Sequence, residues 1–246
     1  MGWNPWHGCH RISEGCRNCF VFAADKRYGR NTELFTVNKE FSKPSKKNSK
    51  GIYTFFEQPY VFTCSNSDFF LEEADSVRDA AWSIIRERYD LNFLIPTKRI
   101  ERINQCLPTD WRGNFNNVYI SCTIENQAAA DIRLPIYTAL ELPHYLIQAE
   151  PLLGPLDIAD FLVKVRFEKI TVEGEFGPNA RECRYEWVKQ LRDQCVQNNV
   201  TMIFRRTGDK FIDCNGTLTP RRARGMQEPN DKNLSYISEN KCCNLL

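Results

Sequence analysis

The chain has 246 residues, 42% hydrophobic and 26% charged, and its 33 basic against 31 acidic residues leave a net charge of +2. That balance is globular, excludes disorder as the dominant state, and argues against a partner held by bulk positive charge. A chain of this length builds its own core and needs no disulfide or metal merely to fold.

The unusual feature is eleven cysteines, an odd number that cannot all pair within the chain. No charged segment leads into an apolar one at the start, and no run of 18 apolar residues follows. The expected setting is therefore reducing and cytoplasmic, with no membrane contact. There a cysteine cluster reads as metal-binding or catalytic before it reads as disulfide.

In chain order, Trp3-Asn4-Pro5-Trp6-His7-Gly8 leads into Cys9, Cys16 and Cys19, a C-x6-C-x2-C array followed by Phe20. Residues 31–59 are polar and lysine-rich (Lys39, Lys43, Lys46, Lys47, Lys50) and read as a long excursion after the first helix, a candidate lid. Strand-length apolar runs then recur at 60–64, 92–95, 117–122, 144–147, 169–172 and 200–204. Most are nearly continuous, the pattern of parallel strands covered on both faces. Between them, Val77, Ala80, Ala81, Ile84 and Ile85 recur at helical spacing, as do Trp187, Val188, Leu191, Cys195 and Val196. Asn126 to Leu140 is a third helix, expected to bend at Pro135.

This alternation predicts an α/β fold, a TIM-like full or partial (β/α) barrel of parallel strands, as a single domain over residues 1–212. The runner-up is an open doubly wound sheet, although no glycine-rich dinucleotide fingerprint follows any strand. Residues 213–246 form a polar tail, expected to be loosely held. Its ending, Cys243-Asn244-Leu245-Leu246, matches a prenylation signal only loosely, because Asn244 is not aliphatic. Cys64, Cys122 and Cys195 fall in apolar segments and read as packing.

Each predicted strand ends in polar residues. They are Ser65-Asn66-Ser67-Asp68, Thr97-Lys98-Arg99, Ser121 and Thr123 with Glu125-Asn126, Gln148 with Glu150, Glu173-Gly174-Glu175, and Arg205-Arg206-Thr207-Gly208. In a parallel barrel these ends line one mouth, where active sites gather. A bland alternative is a set of solvated turns and helix caps.

Three thiolates so close can hold three corners of a metal site. His7 or His10 could complete a zinc site. Alternatively, three cysteines hold a [4Fe–4S] cluster with one iron left open for a substrate or cofactor. An open iron is what a radical enzyme needs to chelate S-adenosylmethionine (SAM), and Phe20 would help to shield the cluster. Gly8 and Gly15 each precede a cysteine and let the loop wrap closely.

Six motifs occur in order. They are Trp3-Asn4-Pro5-Trp6-His7-Gly8-Cys9 with Ser13-Glu14-Gly15-Cys16-Arg17-Asn18-Cys19; Ser65-Asn66-Ser67-Asp68-Phe69-Phe70; Thr97-Lys98-Arg99-Ile100-Glu101-Arg102; Ser121-Cys122-Thr123-Ile124-Glu125-Asn126-Gln127; Gln148-Ala149-Glu150-Pro151-Leu152-Leu153-Gly154-Pro155; and Glu173-Gly174-Glu175-Phe176-Gly177-Pro178-Asn179-Ala180-Arg181. Over residues 3–210 the sequence resembles the DUF5131 family, also called the phage Gp37/Gp68 or three-Cys-motif proteins. The resemblance implies a radical-SAM-like enzyme on a TIM-like barrel, with a nucleotide or nucleic-acid substrate because relatives occur in phages and mobile elements. The cysteine spacing is longer than that superfamily's usual C-x3-C-x2-C. Glu173 stands where a glycine is usual, Gln148 replaces a serine, and Arg205-Arg206-Thr207-Gly208 replaces a Lys-Gln-aromatic-Gly run.

Two readings follow. In the first, Cys9, Cys16 and Cys19 bind the cluster, and an external electron donor drives SAM chemistry. Asp68, Lys98 and Glu175 are the candidate catalytic side chains. Ser67, Glu125, Glu150, Glu175 and Arg205 are the candidate SAM-binding ones, with Lys98, Arg99 and Arg205 suited to a carboxylate or phosphate. In the second, zinc stabilises a nucleic-acid-binding protein whose phosphate contacts come from the lysines at 39–50 and from Arg221, Arg222 and Arg224. The near-neutral charge and acidic strand ends weigh against the second.

Overall fold

Five of the six predicted strands form with boundaries shifted by a residue or two, and the first shrinks to two residues. They are β1 (Val61–Phe62), β2 (Phe93–Thr97), β3 (Val118–Thr123), β4 (Tyr145–Ala149), β5 (Phe167–Glu173) and β6 (Thr201–Arg206). The computed structural model describes residues 2–57, 59–220 and 234–238; the readings placed on Arg221, Arg222, Arg224 and the Cys243 ending fall outside them. The strands are parallel and lie side by side in chain order, curled into a half-barrel. A doubly wound sheet would reverse its order at a switch point, and this one does not.

The two faces of the sheet differ. On the convex side Phe93, Ile95, Val118, Ile120, Ile147, Ile170 and Met202 join one core with the helices. Helix α1 is Phe20–Arg27, α2 is Asp75–Glu87, α3 is Gln127–Thr138 and α4 is Tyr185–Gln197. Trp82 of α2 is central to that core, within an aromatic cluster of Phe69, Trp111 and Phe115, and its indole N–H donates to the Cys106 carbonyl at 2.8 Å. Asn126 caps α3, accepting from the Ala129 amide at 3.0 Å, and the helix runs on through Pro135. Cys64, Cys122 and Cys195 are buried, as expected of packing residues.

The expectation that both faces are covered holds only on the convex side. The alternating residues Tyr60, Leu94, Tyr119 and Leu146 form a separate small cluster on the concave face. Further along the strands that face carries Ser121, Thr123, Gln148 and Thr171, which line cavities. The period of two in a strand sends these polar residues inward while their neighbours enter the core.

Both edges of the half-barrel are covered. Trp3 pairs with Thr63 and Gly8 with Ser67, so the first residues run parallel to β1 toward its carboxyl end. At the other edge Tyr236 and Met202 exchange backbone hydrogen bonds of 2.7 and 2.8 Å, and Leu234 is buried. The tail was expected to be loosely held from about Asp213. Instead Leu218–Pro220 pairs with Lys210–Ile212, and residues 234–238 satisfy the exposed backbone of the last strand.

Part of the 31–59 excursion also has structure: Thr36–Val37 pairs with Trp6–His7. Its later part packs near the start of β2, at the end of the sheet away from the cysteines. There the fully buried Arg88 donates to the carbonyls of Pro44 and Phe55 and pairs with Asp90 at 2.8 Å. No described residue of 31–59 lines the cavity at the cysteines, where a lid was expected.

Candidate functional site

The pairing of residues 3–8 with β1 delivers Cys9 to the carboxyl end of the sheet. Gly8 makes the turn possible, with φ of +116° and space so limited that a Cβ would lie 2.8 Å from the Phe35 backbone. The loop then crosses the mouth, forms a short turn over Glu14–Cys16, and enters α1 directly after Cys19. Gly15 packs against Glu125, and a Cβ there would lie 2.9 Å from its carboxylate.

Buried carboxylates from three strand ends clamp this loop. After β1, Asp68 accepts from the Thr97 hydroxyl at 2.8 Å, from the Phe70 amide at 2.9 Å and from Arg99 at 3.1 Å. Arg99 in turn reaches the His10 carbonyl at 3.1 Å and the Cys9 sulfur at 3.8 Å. After β3, Glu125 accepts from the Gly15 amide at 3.2 Å and from Arg133 at 2.7 Å. After β5, Glu175 accepts from Asn18 at 2.9 Å and holds Arg181 in a bidentate pair, and Arg181 donates onward to the Glu14 carbonyl at 3.0 Å. Burial alone would raise the Glu125 and Glu175 pKa values. Lys98 and Arg133 reverse this for Glu125, as Arg181 and Asn18 do for Glu175, leaving both below the usual carboxylate range.

The three thiols line one cavity of about 450 Å³, together with Ser67, Asp68, Lys98, Glu150, Glu175 and Arg205. Nine of the ten candidate site residues thus meet. The exception is Glu125, expected to contact a cofactor. It lies behind the loop, fully buried, with both oxygens engaged. Ser67, another expected cofactor ligand, donates its hydroxyl to the Gly8 carbonyl. Asp68 and Glu175, expected to be catalytic, line the cavity and have their carboxylates engaged by groups that anchor the loop.

The groups that face the cavity without such commitments lie elsewhere on its wall. The Lys98 ammonium has no hydrogen-bond or ion-pair partner among the described residues, and its charge is felt by Glu125. Arg205 sits between Glu150 at 3.5 Å and Glu173 at 3.2 Å, while Arg206 pairs with Glu173 at 2.6 Å. Burial and the neighbouring Glu173 carboxylate raise the Glu150 pKa. Glu173, Arg206, Asn18 and Arg181 were not among the candidate residues. Glu173 and Arg206 were read as strand-end residues of the mouth but given no role; Asn18 and Arg181 carry no local signal, since each acts through Glu175.

All nine described cysteines are free. Burial pushes the Cys9 thiol up to about 11, against the lowering effect of Arg99. Such a thiol stays protonated at neutral pH unless a bound cation stabilises the thiolate. Among the described residues, no three His, Cys, Asp or Glu side chains converge on a point that could hold a single metal ion. His7 and His10 direct Nε2 to Asp25, at 2.7 Å, and to Glu73. Three free thiols of one loop line the cavity wall, and the buried Cys64, just after β1, lines the same cavity; the three loop thiols would suit a [4Fe–4S] cluster with one iron not held by the loop.

The fold and loop define a half-barrel α/β protein with a three-cysteine loop clamped across its strand ends. Residues 1–232 match the family model DUF5131, described as a protein of unknown function, and the chain belongs to that family. No curated protein and no solved structure matches it. No described helix is long and apolar enough to cross a membrane.

Proposed function

We propose that this chain is an iron–sulfur, radical-SAM-like enzyme. The observation that carries the reading is the placement of three free cysteines, on one clamped loop, at the mouth of a parallel half-barrel whose concave face is polar. Cys9, Cys16 and Cys19 would hold a [4Fe–4S] cluster, with the open iron available to the amino and carboxylate groups of SAM. When bound and reduced by an external electron donor, that pair supplies radical chemistry.

The protein's own contribution is positional. Asp68, Glu125 and Glu175 fix the loop so that the thiols face the cavity. Lys98, on the cavity wall and without an ion-pair partner among the described residues, suits a carboxylate or phosphate. Glu150, Glu173 and Arg205 form a mixed-charge wall suited to amino and hydroxyl groups. The substrate on this reading is a small molecule or nucleotide; the phage and mobile-element association of the resembled family adds weight to the nucleotide. Free thiols throughout the described chain accord with a reducing, cytoplasmic setting.

The test is reductive cleavage of SAM. Protein reconstituted with iron and sulfide under anaerobic conditions should convert SAM to 5′-deoxyadenosine when supplied with a strong reductant, and Cys16→Ala should abolish the conversion. A cluster-loaded protein that leaves SAM intact would remove the radical mechanism. A protein that takes up one tightly held zinc and no iron would favour the zinc-stabilised, nucleic-acid-binding alternative.

A further inference from the structure

Toward the starts of the strands, the end of the groove away from the cysteines, lies a second cavity of about 220 Å³ that shares Phe62, Gln148 and Arg205 with the first. Its apolar wall includes Phe62, Leu94 and Leu146. Its charged lining residues are Lys169 and Arg205, with no acid among them. Arg205 is engaged upward by Glu150 and Glu173, and Lys169 lines the deep end. Lys169 is half-buried, its ammonium 5.4 Å from the centre of the Tyr60 ring. Burial and the repulsion of Arg205 lower its pKa, against the raising effect of the Glu168 and Glu150 carboxylates.

Two hydroxyls in the same cavity provide an independent observation. Ser121 is fully buried and Tyr60 is 5% exposed, and neither side-chain oxygen has a hydrogen-bond partner among the described residues. Buried polar groups are normally paired, and an orphaned pair of donors lining a cavity marks a place where something else accepts from them. A carboxylate or phosphate oxygen accepts from both hydroxyls and from an ammonium together.

We propose that the deep end of the groove binds a small organic anion, its carboxylate or phosphate held by Lys169, Tyr60 and Ser121 and its apolar body lying against Phe62, Leu94 and Leu146. This lining lies below the cysteine loop, and the site does not depend on what the cysteines hold. Its position, opening into the cysteine cavity, is that of a substrate subsite.

The test uses benzoate and phenyl phosphate as probes, with benzyl alcohol as the uncharged control, and reads saturable binding by thermal shift and ligand-observed NMR. At least one anion should bind saturably, and whichever binds more tightly identifies carboxylate or phosphate as the preferred group. Lys169→Gln should weaken that binding by about tenfold or more, and Tyr60→Phe and Ser121→Ala by a smaller factor. In the empty protein Ser121→Ala and Tyr60→Phe should leave the melting temperature unchanged, because neither hydroxyl has a partner to lose. Cys16→Ala should bind the probes as the parent does, which separates this site from the cluster. The proposal is overturned if neither anion saturates, if benzyl alcohol binds equally well, or if Lys169→Gln binds as the parent does.

Discussion

The convex and concave faces of the same six strands obey different rules. Outward residues such as Ile95, Ile120 and Ile170 are sealed into one core with the helices. Inward residues one position away, Ser121, Thr123, Gln148 and Thr171, line cavities. The convex face accounts for stability by area removed from water. The concave face keeps polar groups buried without complete pairing, which stability alone does not favour. Unpaired polar groups of that kind are what a ligand site requires.

Substitutions should separate the two faces. The largest effect is expected from Trp82→Ala, which empties the centre of the convex core and should cost about 3–5 kcal/mol in chemical denaturation. Next comes Glu125→Ala, which leaves Arg133 buried without its partner and frees the Gly15 amide. Its expected cost is about 3 kcal/mol, with faster amide exchange over the cysteine loop. Glu175→Gln should cost less, about 1–2 kcal/mol, because Arg181 is a quarter exposed and solvent screens part of the pair. The smallest effect is expected at Ser121→Ala, within about 0.5 kcal/mol despite full burial. A cost for Ser121→Ala near that of Trp82→Ala would break the distinction between the faces.

The Glu175 anchor also has a pH signature. Its carboxyl is held below its ordinary value in the folded chain, so its contribution is present above the unfolded pKa of about 4.3. That contribution is lost as pH falls through the depressed folded value. Stability curves of the parent and Glu175→Gln should therefore lie apart at neutral pH and converge in acid. Parallel curves down to acid pH would mean that Glu175 does not anchor the loop.

The half-barrel was legible because its strands are short, apolar and evenly spaced, and sequential parallel order follows from strand–helix alternation. The gathering of strand-end residues at one mouth was legible for the same reason. The division of labour among them was not. In one dimension Asp68 and Glu175 look like catalytic acids and Glu125 like a cofactor ligand. Their loop-anchoring role depends on partners far away in the chain, Gly15 for Glu125 and Asn18 for Glu175. The edge pairing of Trp3 and Tyr236 was equally hidden, because a single bridge residue carries no periodicity.

The claim on which the account turns is that the clamped loop holds a cluster. Iron and acid-labile sulfide, measured together with zinc on anaerobically reconstituted protein, test it most directly. The account predicts about four irons and four sulfides per chain, lost in Cys16→Ala. A colourless protein with one bound zinc and no iron after reconstitution would contradict it.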